Sequence, residues 1–143
     1  MGKWLWFVPL SQIDDAWAGI RAAVESNRLS FAAKAGTLAN HRGSTDDTRR
    51  PICIYTPDWR DIPEVERVLT RLRAMGIKDT LRYKRDTDTV NGRYGPGAAS
   101  YICPAGTTAL VVSHRTRQAL DHYQQARAQA RRAAEKRRAL KPQ

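Results

Sequence analysis

WLWFVPLSQIDDAWAGIRAAV, residues 4–24, is the stretch whose reading decides the fold class. Trp4 to Val8 is short, aromatic and apolar and stops at Pro9, which is the pattern of a strand. Ser11 then offers a hydroxyl to the free N–H groups of a helix start, and Asp14 follows at the capping-box spacing. Ile13, Trp17, Ile20 and Val24 recur at helical intervals, so one stripe of this helix faces a core.

Strand and helix signals continue on both sides of the next turns. Leu29 to Leu38 reads as a strand because helix start signals are missing there, and residues 39–50 are polar without apolar period and read as a loop. Ile52 to Thr56 is a second clear strand. Asp61 caps a helix with Glu64 in the reciprocal position, Val65, Val68, Leu69, Leu72 and Met75 form its apolar stripe, and Gly76 ends it. Leu81 to Lys84, Tyr101 to Cys103 and Thr107 to Val112 are further strands, the first two separated by a Gly-rich turn region at 91–97. Several strands with only two intervening helices predict an α+β fold: a mostly antiparallel sheet backed by helices on one face.

From His114 onward Ala, Gln and Arg dominate and no helix breaker intervenes before Pro142, so a long helix follows. The expected organisation is an α+β domain over residues 1–113 and a basic helix over 114–143. Of the 143 residues, 25 are Lys or Arg and 14 Asp or Glu, a net charge of +11. Residues 114–143 hold nine basic and two acidic side chains, a local +7 that leaves +4 for residues 1–113. Such an excess attracts phosphate-rich partners. Arg127, Arg131, Arg132, Lys136, Arg137 and Arg138 are the expected contacts to a nucleic-acid backbone. A membrane partner is disfavoured, since the helix offers Ala rather than Leu, Phe or Trp on its apolar seam.

There is no run of about 18 apolar residues and no signal-peptide pattern at the N-terminus, so a soluble protein of the cytoplasm is expected. Cys53 and Cys103 each sit in an apolar stretch and read as buried free thiols. Two Cys and three scattered His supply no metal-ligand spacing, and neither a Ser-His-Asp order nor a phosphate-binding Gly-Lys-Ser/Thr loop is present. No cofactor is expected.

Several stretches in order resemble one family: Gly2-Lys-Trp-Leu5, Asp15-Ala-Trp-Ala-Gly-Ile20, Ile52-Cys53 followed by Tyr55-Thr56, and Asp58 and Asp61 around Trp59. The spaced motif Tyr83-Lys84-x-Asp86-x-x-Thr89-x-x-Gly92-x-Tyr94 completes the set. Together, over roughly residues 2–104, they resemble the basophilic-leukaemia-expressed-protein family. The resemblance implies a fold like that of the cap-binding translation initiation factor 4E, a curved antiparallel sheet backed by helices. It also brings a loose phosphothreonine-lyase-like label and a proposal of RNA binding for a vertebrate member. The base-clamping tryptophan pair of the cap-binding factor has no counterpart that maps onto Trp4, Trp6, Trp17 or Trp59, so cap recognition is not implied.

The family-matching polar residues, Lys34, Tyr55, Thr56, Asp58, Lys84, Asp86, Thr89, Arg93 and Tyr94, fall at strand ends and adjoining turns, where a curved sheet would gather them in a concavity. The lysines and Arg93 would hold phosphate, the tyrosines would stack or donate hydroxyls, and Trp59 is a further stacking candidate. The plainer alternative is that Asp86, Thr89 and Gly92 only shape a turn. The function expected is binding of RNA or a nucleotide, with the basic helix adding phosphate contacts. An enzyme acting on a phosphorylated substrate, with Lys84 or Lys34 as base and Arg93 on the phosphate, is the rival, and a protein-interaction module the third reading.

Overall fold

A computed structural model describes residues 1–36, 48–87 and 99–141. The elements in chain order are β1 (Gly2–Pro9), a 3-10 turn (Leu10–Gln12), α1 (Ile13–Glu25), β2 (Ala33–Ala35), β3 (Arg49–Thr56), α2 (Ile62–Ala74), β4 (Leu81–Arg85), β5 (Tyr101–Cys103), β6 (Val111–Val112) and α3 (His114–Ala139). The chain divides into two compact units, Met1–Val112 and Ser113–Gln143.

In the first unit the strands form one six-stranded sheet in the order β2-β3-β1-β4-β5-β6, with every pairing antiparallel. Because β1 lies between β3 and β4 and runs against both, those two strands are parallel to each other, and α2 crosses over β1 to join them. By the same reasoning α1 crosses over β3 to join β1 to β2. The first four strands and two helices are therefore a pair of interlocked split β-α-β units, the ferredoxin-like connectivity, with β5 and β6 added beyond β4. Both helices lie on one face, where Ala22 and Ala23 of α1 and Arg71 and Ala74 of α2 line a common groove. Likeness to the initiation factor's fold rests on the family resemblance, not on this connectivity.

Alternation along the strands separates the faces. Gly2, Trp4 and Val8 of β1 are buried, as are Arg50, Ile52, Ile54 and Thr56 of β3 and Leu81 and Tyr83 of β4. These side chains meet α2, whose Val65, Val68, Leu69 and Leu72 are fully buried, and Ile20 of α1. The indole Nε1 of Trp4 donates to the Val65 carbonyl at 3.1 Å, so the largest core side chain enters with its one polar atom satisfied. Trp4, Tyr83 and Tyr101 lie side by side across β1, β4 and β5, with ring centroids 5.3 Å apart at each step.

The helix ends follow local chemistry. Asp61 accepts from the Glu64 amide at 3.4 Å, but the Glu64 carboxylate is taken by Arg67 at 2.6 and 2.8 Å and does not reach back. Gly76, at φ +91°, ends α2: its amide bonds to the Arg73 carbonyl and that of Ile77 to Leu72. Met75, expected in the buried stripe, is the C-cap and is exposed. At the end of α1 the left-handed position is filled by Asn27, φ +58°, with Arg28 bonding back to Ala23.

Three further expectations are corrected. Ser11 does not cap α1: the chain leaves Pro9 through a 3-10 turn that contains Ser11, so Gln12 takes the N-cap position and no side chain caps. Asp14 and Asp15 instead supply charge that suits the first turn. Of the strand read at Leu29–Leu38, Ala33–Ala35 is strand; the start is lost because Leu29 turns into the core and the Ser30 hydroxyl donates to the Ala32 carbonyl, and residues 37–38 lie outside the described residues. The strand read from Thr107 begins only at Val111, since Gly106, at φ +70°, turns the chain with its amide on the Lys78 carbonyl, and Thr107 donates its amide and hydroxyl to the Pro104 carbonyl.

In the second unit α3 runs from His114 to Ala139, capped by Ser113, whose hydroxyl accepts from the Thr116 amide at 3.2 Å. No helix among the described residues is long and apolar enough to cross a membrane.

Candidate nucleic-acid interface

The sheet face turned away from α1 and α2 carries the odd-numbered residues of β1 and β3. Strand register arranges them in rows. Tyr55 stands opposite Lys3, and Lys3 opposite Lys84. In the next row Lys34, Cys53, Leu5, Arg82, Ile102 and Val111 follow one another from β2 to β6. Beyond Leu5 on β1 comes Phe7, opposite Pro51, and Arg49 shares the same face of β3. The described strands thus put Lys3, Lys34, Arg49, Arg82 and Lys84 on one face.

Lys3 is the centre of the first row. Its ammonium pairs with Asp86 at 3.2 Å and lies 5.7 Å from the centre of the Tyr55 ring. The side chain is only 13% exposed, against 36% for Asp86, so this pair is better shielded from water than an ordinary surface ion pair. Lys84 is buried and engaged in contacts. Ser100, whose amide donates to the Tyr83 carbonyl at 2.8 Å, is also buried, and its hydroxyl has no hydrogen-bond partner among the described residues.

Burial pushes the Cys53 thiol up, outweighing the opposite pull of Lys3 and Lys34. The Tyr55 phenol is raised too, again chiefly by burial, with Cys53 and Asp86 adding to it. Both groups are therefore neutral at pH 7. A neutral thiol is a poor nucleophile, and a neutral phenol is a stacking face and hydrogen-bond donor rather than a base.

Of the residues singled out in the sequence, Lys34, Tyr55, Lys84 and Asp86 are brought to this face and its edge. Thr56 is turned the other way: it is fully buried on the helix side, and its hydroxyl shares a 2.5 Å hydrogen bond with Tyr83. Period-two alternation dictates that Tyr55 and Thr56 cannot line one surface. Asp58 lies in the turn after β3, where it accepts from the Arg60 amide and pairs with the Arg60 guanidinium at 2.9 and 3.0 Å. Those bonds hold its carboxyl below the usual range. Trp59 is half-buried, with the Arg85 guanidinium 4.6 Å from its ring centre and its carbonyl accepting from the Tyr101 hydroxyl at 2.7 Å. Thr89, Arg93 and Tyr94 lie outside the described residues.

Lys3, Arg49, Arg82 and Phe7 were not singled out. The signal available was the alternation from Trp4: once Trp4 faces the core, Lys3, Leu5 and Phe7 must face the other way. Cys53, read as a core thiol, belongs to that open face and is only half-buried, whereas Cys103 is buried and donates to the Thr107 carbonyl at 3.1 Å.

On α3, Arg127, Arg131, Arg132, Lys136, Arg137 and Arg138 are all exposed. Spacings of four and seven put Arg127, Arg131 and Arg138 on one stripe, and the Arg127 guanidinium lies 5.7 Å from the Tyr123 ring centre.

A family model described as basophilic leukemia-expressed protein Bles03 matches residues 1–90, more than half of the chain. The match begins at β1 and runs past β4, covering the Lys3, Lys34, Tyr55 and Lys84 positions, while β5, β6 and α3 lie beyond it.

Proposed function

The chain belongs to the basophilic leukemia-expressed protein family, and from that premise we propose that it binds single-stranded RNA or a nucleotide on the sheet face turned away from its helices. The observation that carries this reading is Tyr55 with Lys3 opposite it and Lys34 in the neighbouring row, an aromatic ring beside cations on adjacent strands. Bases stack on aromatic faces while Lys and Arg follow the phosphates, and the two together make a sequence-tolerant single-strand site. By analogy of fold alone, antiparallel sheets of this connectivity with aromatic side chains on their central strands are a recurrent RNA-binding surface. Here the central strands β3 and β1 offer Tyr55 and Phe7.

The exposed cations of α3 add phosphate contacts that raise affinity without reading sequence. The neutral state of Cys53 and Tyr55 favours binding over covalent chemistry at this face.

Fluorescence anisotropy of a labelled single-stranded RNA with the full chain tests the reading. Tyr55→Ala removes a stacking face and lowers affinity about tenfold, the equivalent of one stacked base, and Lys34→Gln weakens binding several-fold in low salt. Affinities within twofold of the unsubstituted protein for both variants would contradict the proposal.

A further inference from the structure

Where β1 leaves the sheet and β4 enters it, a cleft of about 610 Å³ opens, lined among others by Phe7, Arg49, Asp79, Thr80 and Arg82. No sequence motif points to it. Its volume is that of a small-molecule site, and its walls combine an aromatic ring, two guanidinium groups and a carboxylate. Arg82 is exposed, and its guanidinium makes no hydrogen bond or ion pair among the described residues. Arg49 donates to the Phe7 carbonyl at 3.3 Å. Asp79 is held by the Trp6 indole, which donates to its Oδ2 at 3.0 Å, and that bond leaves Oδ1 to accept from another donor.

We infer that this cleft is a second nucleotide subsite, continuous with the Tyr55–Lys3–Lys84 row, and that the ligand of the open face is an oligonucleotide rather than a mononucleotide. The inference rests on the proposed function and specifies its ligand. Phe7 presents a ring face to a base, and Asp79 Oδ1 accepts from a base N–H. Arg82 and Arg49 hold phosphate oxygens, which a guanidinium does in bidentate fashion. Lys3 and Phe7 are four residues apart on β1, roughly 13 Å at strand rise, a separation that a short single strand bridges and one nucleotide does not. Arg82 sits in the intervening row, opposite Leu5, so cations line the route between the two ends.

Titration calorimetry of the full chain with uridine 5′-monophosphate and with oligouridylates of increasing length tests this. Affinity is expected to climb at least tenfold between the monomer and a short oligomer. In the Arg49→Gln, Arg82→Gln double variant that climb is expected to flatten to less than threefold. A climb of unchanged size in the variant, or a monomer that binds as tightly as the oligomers, would overturn the second subsite while leaving the binding function standing. Absence of binding at every length would overturn both.

Discussion

Tyr83 occupies the point where β1, β3 and β4 meet, and its surroundings make two substitutions informative. A Cβ on Gly2 would overlap the Tyr83 ring and hydroxyl, and Tyr83 is fully buried with nowhere to move. Gly2→Ala is therefore expected to cost about 1–3 kcal/mol by overpacking, read as a lower urea midpoint. Tyr83→Phe strands the buried Thr56 hydroxyl and costs roughly 1–2 kcal/mol. Tyr83 also sets an alkaline limit. Burial, the dominant cause, raises its phenol above the ordinary value despite the Thr56 hydrogen bond. The unfolded phenol ionises near pH ~10 while the folded one holds its proton, so this stabilisation is complete below pH ~10 and is lost as pH rises above it. Urea unfolding between pH ~9 and ~11 should show a shallower fall for Tyr83→Phe than for the unsubstituted chain, with a residual slope from Tyr55. Equal slopes would exclude Tyr83 as the source.

At the scale of elements, one side chain ties the C-terminal end of α2 to two neighbouring segments. Arg73 donates to the carbonyls of Thr107, Ile77, Asp79 and Pro104 at 2.6–3.0 Å, with a longer contact to the Cys103 sulfur at 3.3 Å. It ties the end of α2 to the segment before β4 and to the turn after β5. The planar fork matches several acceptors at once and an ammonium does not. Arg73→Lys is expected to lose roughly 1–3 kcal/mol, and hydrogen exchange should quicken at Ile77 and Thr107, whereas an unchanged exchange pattern would contradict the clamp. This arrangement was invisible in the sequence because its acceptors are backbone carbonyls from two distant segments. What was legible is what local chemistry determines: the Asp61 cap, the Gly76 stop, the stripe Val65–Leu72, and the strands around Trp4, Ile54 and Tyr83. The readings at Ser11, Leu29 and Thr107 failed where a competing local bond, or burial of a single Leu, took the backbone out of the expected element.

On the scale of the whole molecule, charge is distributed unequally between the two units, and the proposed roles divide accordingly. Lys34, Tyr55 and Lys84 were legible as a group because cationic and aromatic residues recur in the family motifs. Which of their neighbours join them depended on facing and register, which a sequence with undetermined pairing does not supply. Thr56 was lost to the core by its parity, and Lys3 was gained by the same rule. The proposed partition into a stacking sheet face and a basic helix that adds phosphate contacts makes a direct demand on salt dependence. Each phosphate contact with a single strand contributes about 0.7 to the slope of log affinity against log salt concentration. The deciding measurement is that slope for single-stranded RNA, with the full chain and with Arg127, Arg131 and Arg138 all changed to Gln. The account predicts a steep slope for the full chain, a reduction of about 2 in the triple variant, and no change in slope for Tyr55→Ala despite its weaker binding. A slope near zero for the full chain, or an unaltered slope in the triple variant, would contradict it.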